Sequence, residues 1–397
     1  MLQRTVEATT RYQLTKFPCV AILGPRQCGK TSLVKKIASV YGTKAIYLDI
    51  ERPSDRLKLA DAETYLDFHR DKLVVIDEIQ FMPELFSILR PLIDEKRKAG
   101  RFLLTGSAAP ALVRGVSESL AGRIAYIEMT PIGLMELPQT LSMERHWIRG
   151  GFPSSLLAKN NLLAHNWMDY FVKSYVERDL NQLFHQALSV PLIRNFWSML
   201  AHNDGGIFNA ENYARALGVT GPTVFRYLHF LEGAFLIRSL YPWYVNTNKR
   251  LVKAPKVYVR DSGLLHRLGN VNSMESLRGN MLIGASWEGY VIEQIAQRLS
   301  SDISLHFYRT HEGAEMDLVL IKNNKPYIGI EIKLNPAAKA TKGYYESQKA
   351  LGTKKNFIIV PKGENFPVNS NTIQCSLFHF LTKELARSDP RKIKMAF

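Results

Sequence analysis

Residues 23–32 read LGPRQCGKTS. Gly24, Gly29, Lys30 and Thr31 in this stretch fit the spacing G-x-x-x-x-G-K-[ST]. The apolar run Cys19–Leu23 precedes it, and SLVKKIASVYG follows with helical periodicity up to Gly42. Strand, glycine-containing turn and helix in that order make an anion cradle, because loop amides and a helix N-terminus turn their N–H groups toward phosphate oxygens. Gly24 is expected to allow the tight turn and Gly29 to let the backbone approach the phosphates. The expected nucleotide contacts are the whole loop: Gly24, Pro25, Arg26, Gln27, Cys28, Gly29, Lys30, Thr31 and Ser32. Lys30 would reach the β- and γ-phosphates of ATP, and the Thr31 hydroxyl would ligate Mg2+.

A matching acidic half lies downstream in LVVIDEIQ, an apolar strand ending in Asp77 and Glu78. Asp77 would hold Mg2+ through water, and Glu78 would polarise the attacking water as general base. Taken singly, each is also an ordinary solvated acid at a strand end. The next strand, RFLLTGSAA, carries Thr105 and Ser107 at its C-terminal end. The pairing resembles the AAA-type and related P-loop ATPases, in which a catalytic glutamate follows the strand aspartate. That resemblance implies that Ser107 senses the γ-phosphate. Arg123, in ESLAGRIAYIEM, is placed for an arginine finger, within the chain or across a homo-oligomer; a surface arginine at a helix end fits it equally. The HRD triplet at 69–71 lacks the glycine-rich loop and DFG of a kinase and is set aside as chance.

The chain has 397 residues, enough for two or three domains. Its net charge of +16 favours acidic partners, with DNA foremost. Three cysteines, Cys19, Cys28 and Cys375, have no metal-ligand spacing and no scope for a disulfide framework, so a reducing cytoplasmic setting fits. Neither a signal peptide nor an apolar run of membrane-spanning length is present, and no membrane partner is expected.

Composition divides the chain into three blocks. Residues 1–134 alternate apolar runs (Cys19–Leu23, Ala45–Leu48, Leu73–Ile76, Phe102–Thr105, Ile124–Met129) with helical stretches such as Pro83–Ala99, which predicts a parallel sheet with crossover helices. Residues 135–275 turn helical. Within them NAENYARALGVTGPTVFRYLHFLEG has helix-turn-helix spacing, with a break at Gly218 and a second helix capped at Thr220. Ala214, Leu217, Val224, Leu228 and Leu231 would pack inward, and Thr220, Thr223 and Arg226 would face out. NTNKRLVKAPK follows as a candidate wing, with Lys249, Arg250, Lys253 and Lys256 suited to phosphate contacts. Packing against the ATPase block or another protein suits this region as well.

Residues 276–397 form a compact α/β unit with GAEMDLVLIKNNKPYIGIEIKLN at its centre. A hairpin centred on Asn324 sets Asp317 opposite Glu331 and Glu315 opposite Lys333. Met316, Leu318 and Leu320 then face Ile330, Ile332 and Leu334 on the apolar side. Asp317 and Glu331 are suitable oxygen ligands for a second Mg2+ or Mn2+, and Lys333 would orient a water for phosphodiester attack. A solvated hairpin face carries such charge pairs too. The pattern D-x(13)-E-x-K resembles the PD-(D/E)xK nucleases, and Glu288 in SWEGYVIEQI fits their helix glutamate; Met316 stands where the proline would be.

With LTGS, SLAGR, RGGFP, YVERDL and RDSGLLHRL in order between the two sites, the chain resembles prokaryotic AAA-family ATPases carrying a C-terminal uncharacterised domain related to those nucleases. The expected architecture is an α/β P-loop ATPase domain of the AAA/ASCE type, a central helical and winged-helix region, and an α/β nuclease-like domain. The expected function is ATP hydrolysis coupled to DNA handling or cleavage; a regulatory ATP switch with a catalytically inactive C-terminal binding module is the alternative.

Overall fold

The computed structural model describes residues 2–109, 120–175, 180, 189–244 and 252–388. Five short apolar runs become β1 (Cys19–Leu23), β2 (Ala45–Asp49), β3 (Leu73–Asp77), β4 (Phe102–Gly106) and β5 (Ile124–Glu128), in one parallel sheet ordered β2-β3-β4-β1-β5. β1, β3 and β4 are buried along their whole length, as near-continuous apolar strands require when helices cover both faces. One face packs on α1 (Thr5–Leu14) and α2 (Lys30–Tyr41), the other on α3 (Leu85–Glu95). α3 is shorter than Pro83–Ala99 because Lys96 leaves helical backbone, at φ −138°. Insertion of β4 between β1 and β3 matters most, since it sets Thr105 and Ser107 between the phosphate loop and Asp77–Glu78.

In the middle block, α4 (Val190–His202), α5 (Ala210–Leu217) and α6 (Gly221–Gly233) precede the antiparallel pair β6 (Ile237–Leu240) and β7 (Lys256–Val259). Gly218 ends α5 in the left-handed region at φ 65°, where glycine carries no steric penalty. Ala214, Val224, Leu228 and Leu231 are buried and Leu217 packs against them, while Thr220 and Arg226 are exposed. Thr220 is the N-cap of α6, but its hydroxyl bonds Thr223 rather than a backbone amide. The Ala109 N–H donates to the Gly233 carbonyl at 2.8 Å, which ties the end of β4 to the end of α6.

The C-terminal block is a six-stranded mixed sheet: β8 (Ile303–Arg309), β9 (Glu315–Lys322), β10 (Lys325–Ile332), β11 (Lys355–Val360), β12 (Phe366–Asn369) and β13 (Thr372–Ser376), ordered β12-β13-β11-β10-β9-β8. The helix Ile283–Ala296, here α8 after α7 (Ser262–Leu268), covers one face and α9 (Lys342–Leu351) the other. The hairpin turns on Asn323 and Asn324, both at positive φ (53° and 57°), so its centre lies between them and not on Asn324. A bulge between Pro326 and Ile328 then shifts the register, and Leu318 faces Ile330 as a centre on Asn324 requires. A second irregularity, between His306 and Tyr308, turns Met316 away from Leu318 and Leu320 to pack with Tyr308, Val319 and Ile321. The expected single apolar face is therefore wrong: β9 is buried on both sides through Leu318–Ile321, and its charged residues stand at its two ends, Glu315 and Asp317 at one and Lys322 at the other.

The blocks meet through buried charge. Arg260 binds Glu128, at the end of β5, and Glu293 of α8, the latter at 2.7 Å. Arg238 adds a 2.9 Å contact to Glu293. Burial alone would raise the Glu293 carboxyl, but Arg238 and Arg260 hold it at about 2. A depressed carboxyl contributes stability above its unfolded value, and that contribution disappears as pH falls toward 2. Glu293→Gln leaves both guanidiniums facing no charge on α8, and a cost of about 3–5 kcal/mol is expected. Thermal melts at pH 7 should show it as a drop of roughly 6–15 °C. The difference from wild type should narrow as the pH approaches 2, where Glu293 is protonated anyway.

Candidate nucleotide site and a second carboxylate cluster

The phosphate loop closes against β4 and β5. Gly24 lies against the Met129 carbonyl, and a Cβ there would sit 2.0 Å from its oxygen. Gly29, at φ 103°, makes the turn into α2, and Gln27 is also left-handed at φ 61°. Gly24 therefore serves close packing against the Met129 carbonyl, and the positive-φ turn expected of it falls to Gly29. Cys28 is buried with its Sγ 3.4 Å from the Met129 carbonyl, Arg26 pairs with Glu51 at 2.9 Å, and Ser32 is exposed on the first turn of α2.

Lys30 is buried, and its Nζ donates at 2.9 Å to each of three acceptors: the Gly24 and Pro25 carbonyls and Ser107 Oγ. The Ser107 hydroxyl in turn donates to Glu78 Oε2 at 2.9 Å. Thr31 Oγ1 donates to Asp77 Oδ2 at 2.8 Å, and the Tyr47 hydroxyl reaches the same oxygen at 2.5 Å. Thr105 Oγ1 bonds the other Asp77 oxygen and accepts the Glu78 N–H at 2.9 Å. Glu78 itself stands at φ 59°, a conformation that non-glycine residues adopt at a cost and that clusters at functional sites. Burial pushes its carboxyl up; the Lys30 charge and the Gln80 and Ser107 donors outweigh that and hold it below the ordinary carboxylate range.

One network therefore joins Lys30, Thr31, Asp77, Glu78 and Ser107. Arg123 is not part of it: its guanidinium makes a fork on Asp94 of α3, at 2.7 and 2.8 Å. Tyr47 and Gln80 escaped the sequence reading. Gln80 stands inside the quoted motif LVVIDEIQ, whereas no local pattern marks Tyr47.

The second cluster gathers around Lys256, which is no wing residue. It is 4% exposed, and its Nζ lies 3.0 Å from Glu288 Oε1 and 2.9 Å from Glu315 Oε1. Tyr258, on the same face of β7, donates to Glu288 at 2.5 Å. Glu315, expected opposite Lys333, is instead held by Lys256; Lys333 pairs with Glu331 at 2.6 Å. Asp317 accepts the Ile332 N–H at 2.8 Å. Its carboxyl is pushed well up by burial and then by Glu288 and Glu331; Glu331 is raised as well, burial being the first cause. Glu288, Asp317, Glu331 and Lys333 are thus drawn together. Yet the described residues contain no group of three His, Cys, Asp or Glu able to hold a metal ion. The donor set does not fit the expected divalent ion: Glu288 and Glu315 are held by Lys256 and Glu331 by Lys333, while Asp317 accepts a backbone N–H. Of the other wing cations, Lys253 is exposed, and Lys249 and Arg250 lie outside the described residues, as does most of YVERDL.

An uncharacterized protein of Mycobacterium tuberculosis is 36% identical over 382 residues, covering 96% of this chain and 85% of that protein. An uncharacterized protein of Mycobacterium bovis matches to the same extent. The chain belongs to their family. Residues 16–137 match the AAA domain model, residues 140–275 a domain of unknown function (DUF8612) and residues 283–379 another (DUF4143). The N-terminal block is accordingly an AAA-type P-loop ATPase domain. Among solved structures, AMPPCP-bound DnaA from Aquifex aeolicus is 15% identical with a TM-score of 0.30, over 56% of this chain and 86% of that one. A Drosophila ORC structure bound to DNA is 11% identical with a TM-score of 0.27, over 68% and 94%. No described helix is long and apolar enough to cross a membrane.

Proposed function

We propose that this protein is an ATP-hydrolysing switch that acts on DNA through its middle block, with a C-terminal block that binds rather than cleaves. The carrying observation is the continuous bonding from Lys30 through Ser107 to Glu78, with Ala109 two residues beyond Ser107 bonded to Gly233 of α6. Lys30 and the loop amides would hold the β- and γ-phosphates. Glu78 would take a proton from a water as that water attacks the γ-phosphorus, giving ADP and inorganic phosphate. Thr31 and Asp77, a hydroxyl and a carboxylate already 2.8 Å apart, suit Mg2+, which would neutralise phosphate charge. When Ser107 turns to the γ-phosphate, the strain passes along two residues to α6.

Support for DNA as the partner comes from the net charge of +16 and from the helix-turn-helix followed by a hairpin, the order of a winged helix, with Thr220 and Arg226 exposed. The PD-(D/E)xK likeness stands as a reading of the hairpin. Against metal-dependent cleavage is Lys256, which ion-pairs with Glu288 and Glu315 beside Asp317 and so supplies a positive charge next to the carboxylates.

The test is duplex binding by anisotropy, with ATP and with ADP, beside plasmid incubation with Mn2+. We expect the two nucleotides to give affinities at least several-fold apart in wild type and alike in Lys30→Ala, and the plasmid to stay supercoiled. Cleavage that vanishes in Asp317→Ala would restore the nuclease reading. Equal DNA affinity in every nucleotide state would remove the switch.

A further inference from the structure

Gln80 is bound on both sides of its carboxamide, and each partner belongs to the reaction. Its Nε2 donates to Glu78 Oε2 at 2.5 Å, and its Oε1 accepts the Ser107 N–H at 3.2 Å. The side chain is 4% exposed. Room for it comes from Gly106: a Cβ at that position would lie 3.3 Å from Gln80 Oε1 and 3.0 Å from Leu23 Cδ2. The carboxamide is thus a bridge between Glu78, the residue after β3, and Ser107, the residue after β4.

The bridge has a consequence once ATP is bound. Glu78 has four sources of negative-charge stabilisation: the Lys30 charge, the donors Gln80 and Ser107, and the Arg26 charge. Lys30 Nζ and Ser107 Oγ are also the two groups that a γ-phosphate attracts. Phosphate binding therefore competes with Glu78 for both and leaves the Gln80 amide as its remaining side-chain donor. We propose that Gln80 is the positioning residue that keeps Glu78 aimed at the attacking water while Lys30 and Ser107 serve the phosphate. Its carbonyl end, fixed by the Ser107 amide, holds Glu78 in register with the γ-phosphate sensor. This role rests on the ATP-hydrolysis reading above.

Removing the bridge affects the catalytic step and spares binding. Gln80→Met keeps the volume and deletes both hydrogen bonds. The expected result is a fall in kcat on the order of 10–100-fold, as loss of aim at a reacting group gives. The KM for ATP and the binding of a fluorescent ATP analogue should stay within about twofold, because the loop amides and Lys30 are untouched. Loss of the donor also raises the Glu78 carboxyl, so the acid limb of the kcat–pH profile should move to higher pH. Gln80→Asn retains the amide on a stem one methylene too short to span both partners, and it should fall between Met and wild type. A kcat equal to wild type in both variants overturns the proposal. So does a loss of kcat accompanied by an equal loss of analogue binding, since that marks a scaffold defect. Wild-type protein that binds the analogue but hydrolyses no ATP would instead refute the hydrolysis reading, and the Gln80 role with it.

Discussion

Replacing Glu78 by Gln is expected to lower ATP turnover about 10²–10⁴-fold while ATP remains bound. The variant keeps the size of the side chain and the backbone at φ 59°, so the loop and the β3 end stay in place. It removes the one group in the network able to accept a proton from water. Lys30 is a donor to three acceptors, Asp77 is committed to Thr31, Tyr47 and Thr105, and Ser107 is already donating to Glu78. Lys30→Ala should differ in kind, losing ATP binding itself, because it deletes the charge that meets the phosphates. The two variants therefore separate binding from chemistry, and parallel measurement of kcat and of analogue affinity decides the point. The pH profile adds a sign. Glu78 is held below the ordinary carboxylate range, so the base is ionised throughout neutral pH. Turnover in wild type should stay level through neutrality and decline only at pH values below that range. A Glu78→Gln protein with wild-type turnover would move the general base elsewhere and leave Glu78 as a structural acid.

Much of this was legible because short-range chemistry dictates it. The phosphate loop, the paired acids and the strand that carries Ser107 each follow from a few adjacent residues with fixed spacing. Strand order did not follow, since nothing in Phe102–Gly106 says that it inserts between β1 and β3. Placement of Ser107 beside Lys30 had therefore to come from the family resemblance. The hairpin shows the opposite limit. Its expected pairing of Leu318 with Ile330 is present, but only because a bulge at Pro326–Ile328 corrects a turn that lies half a residue away. A second irregularity reversed Met316, which no alternation rule anticipates. Lys256 was misread for a reason of the same kind. In NTNKRLVKAPK it is one cation among several, and its side chain is met by residues distant in sequence, Glu288, Phe307 and Glu315. The missed signal was KVYV itself, in which Lys256 and Tyr258 alternate onto one strand face, an arrangement that serves a buried acid better than a phosphate backbone.

Lys256→Met is accordingly expected to cost about 3–5 kcal/mol at neutral pH, the price of leaving buried carboxylates without their counter-charge. Glu288 and Glu315 lose a contact of 3.0 and 2.9 Å respectively, and Asp317 loses the charge that offsets its repulsion by Glu288 and Glu331. The pH dependence follows from the sign of those shifts. Asp317 and Glu331 already sit above their ordinary values, and without the Lys256 charge Asp317 rises further. A folded carboxyl that holds its proton more tightly than the unfolded one loses stability as pH rises past the unfolded value. The gap between variant and wild type should thus be widest at pH 7–8 and shrink toward pH 5, as the cluster takes up protons. Mn2+ gives the second axis. If Lys256 is the resident cation, the metal should leave wild-type melting unchanged and recover part of the loss in Lys256→Met, because only there do the carboxylates need it. Wild-type melting that climbs with Mn2+ would mean that metal and lysine share the cluster, and metal-dependent cleavage would regain its footing. Recovery confined to the variant would assign the C-terminal block a site in which a lysine from the middle block replaces the metal. The binding role would then depend on β7 staying in place, and β7 ends one residue before Arg260, the arginine that grips Glu128 of the ATPase sheet.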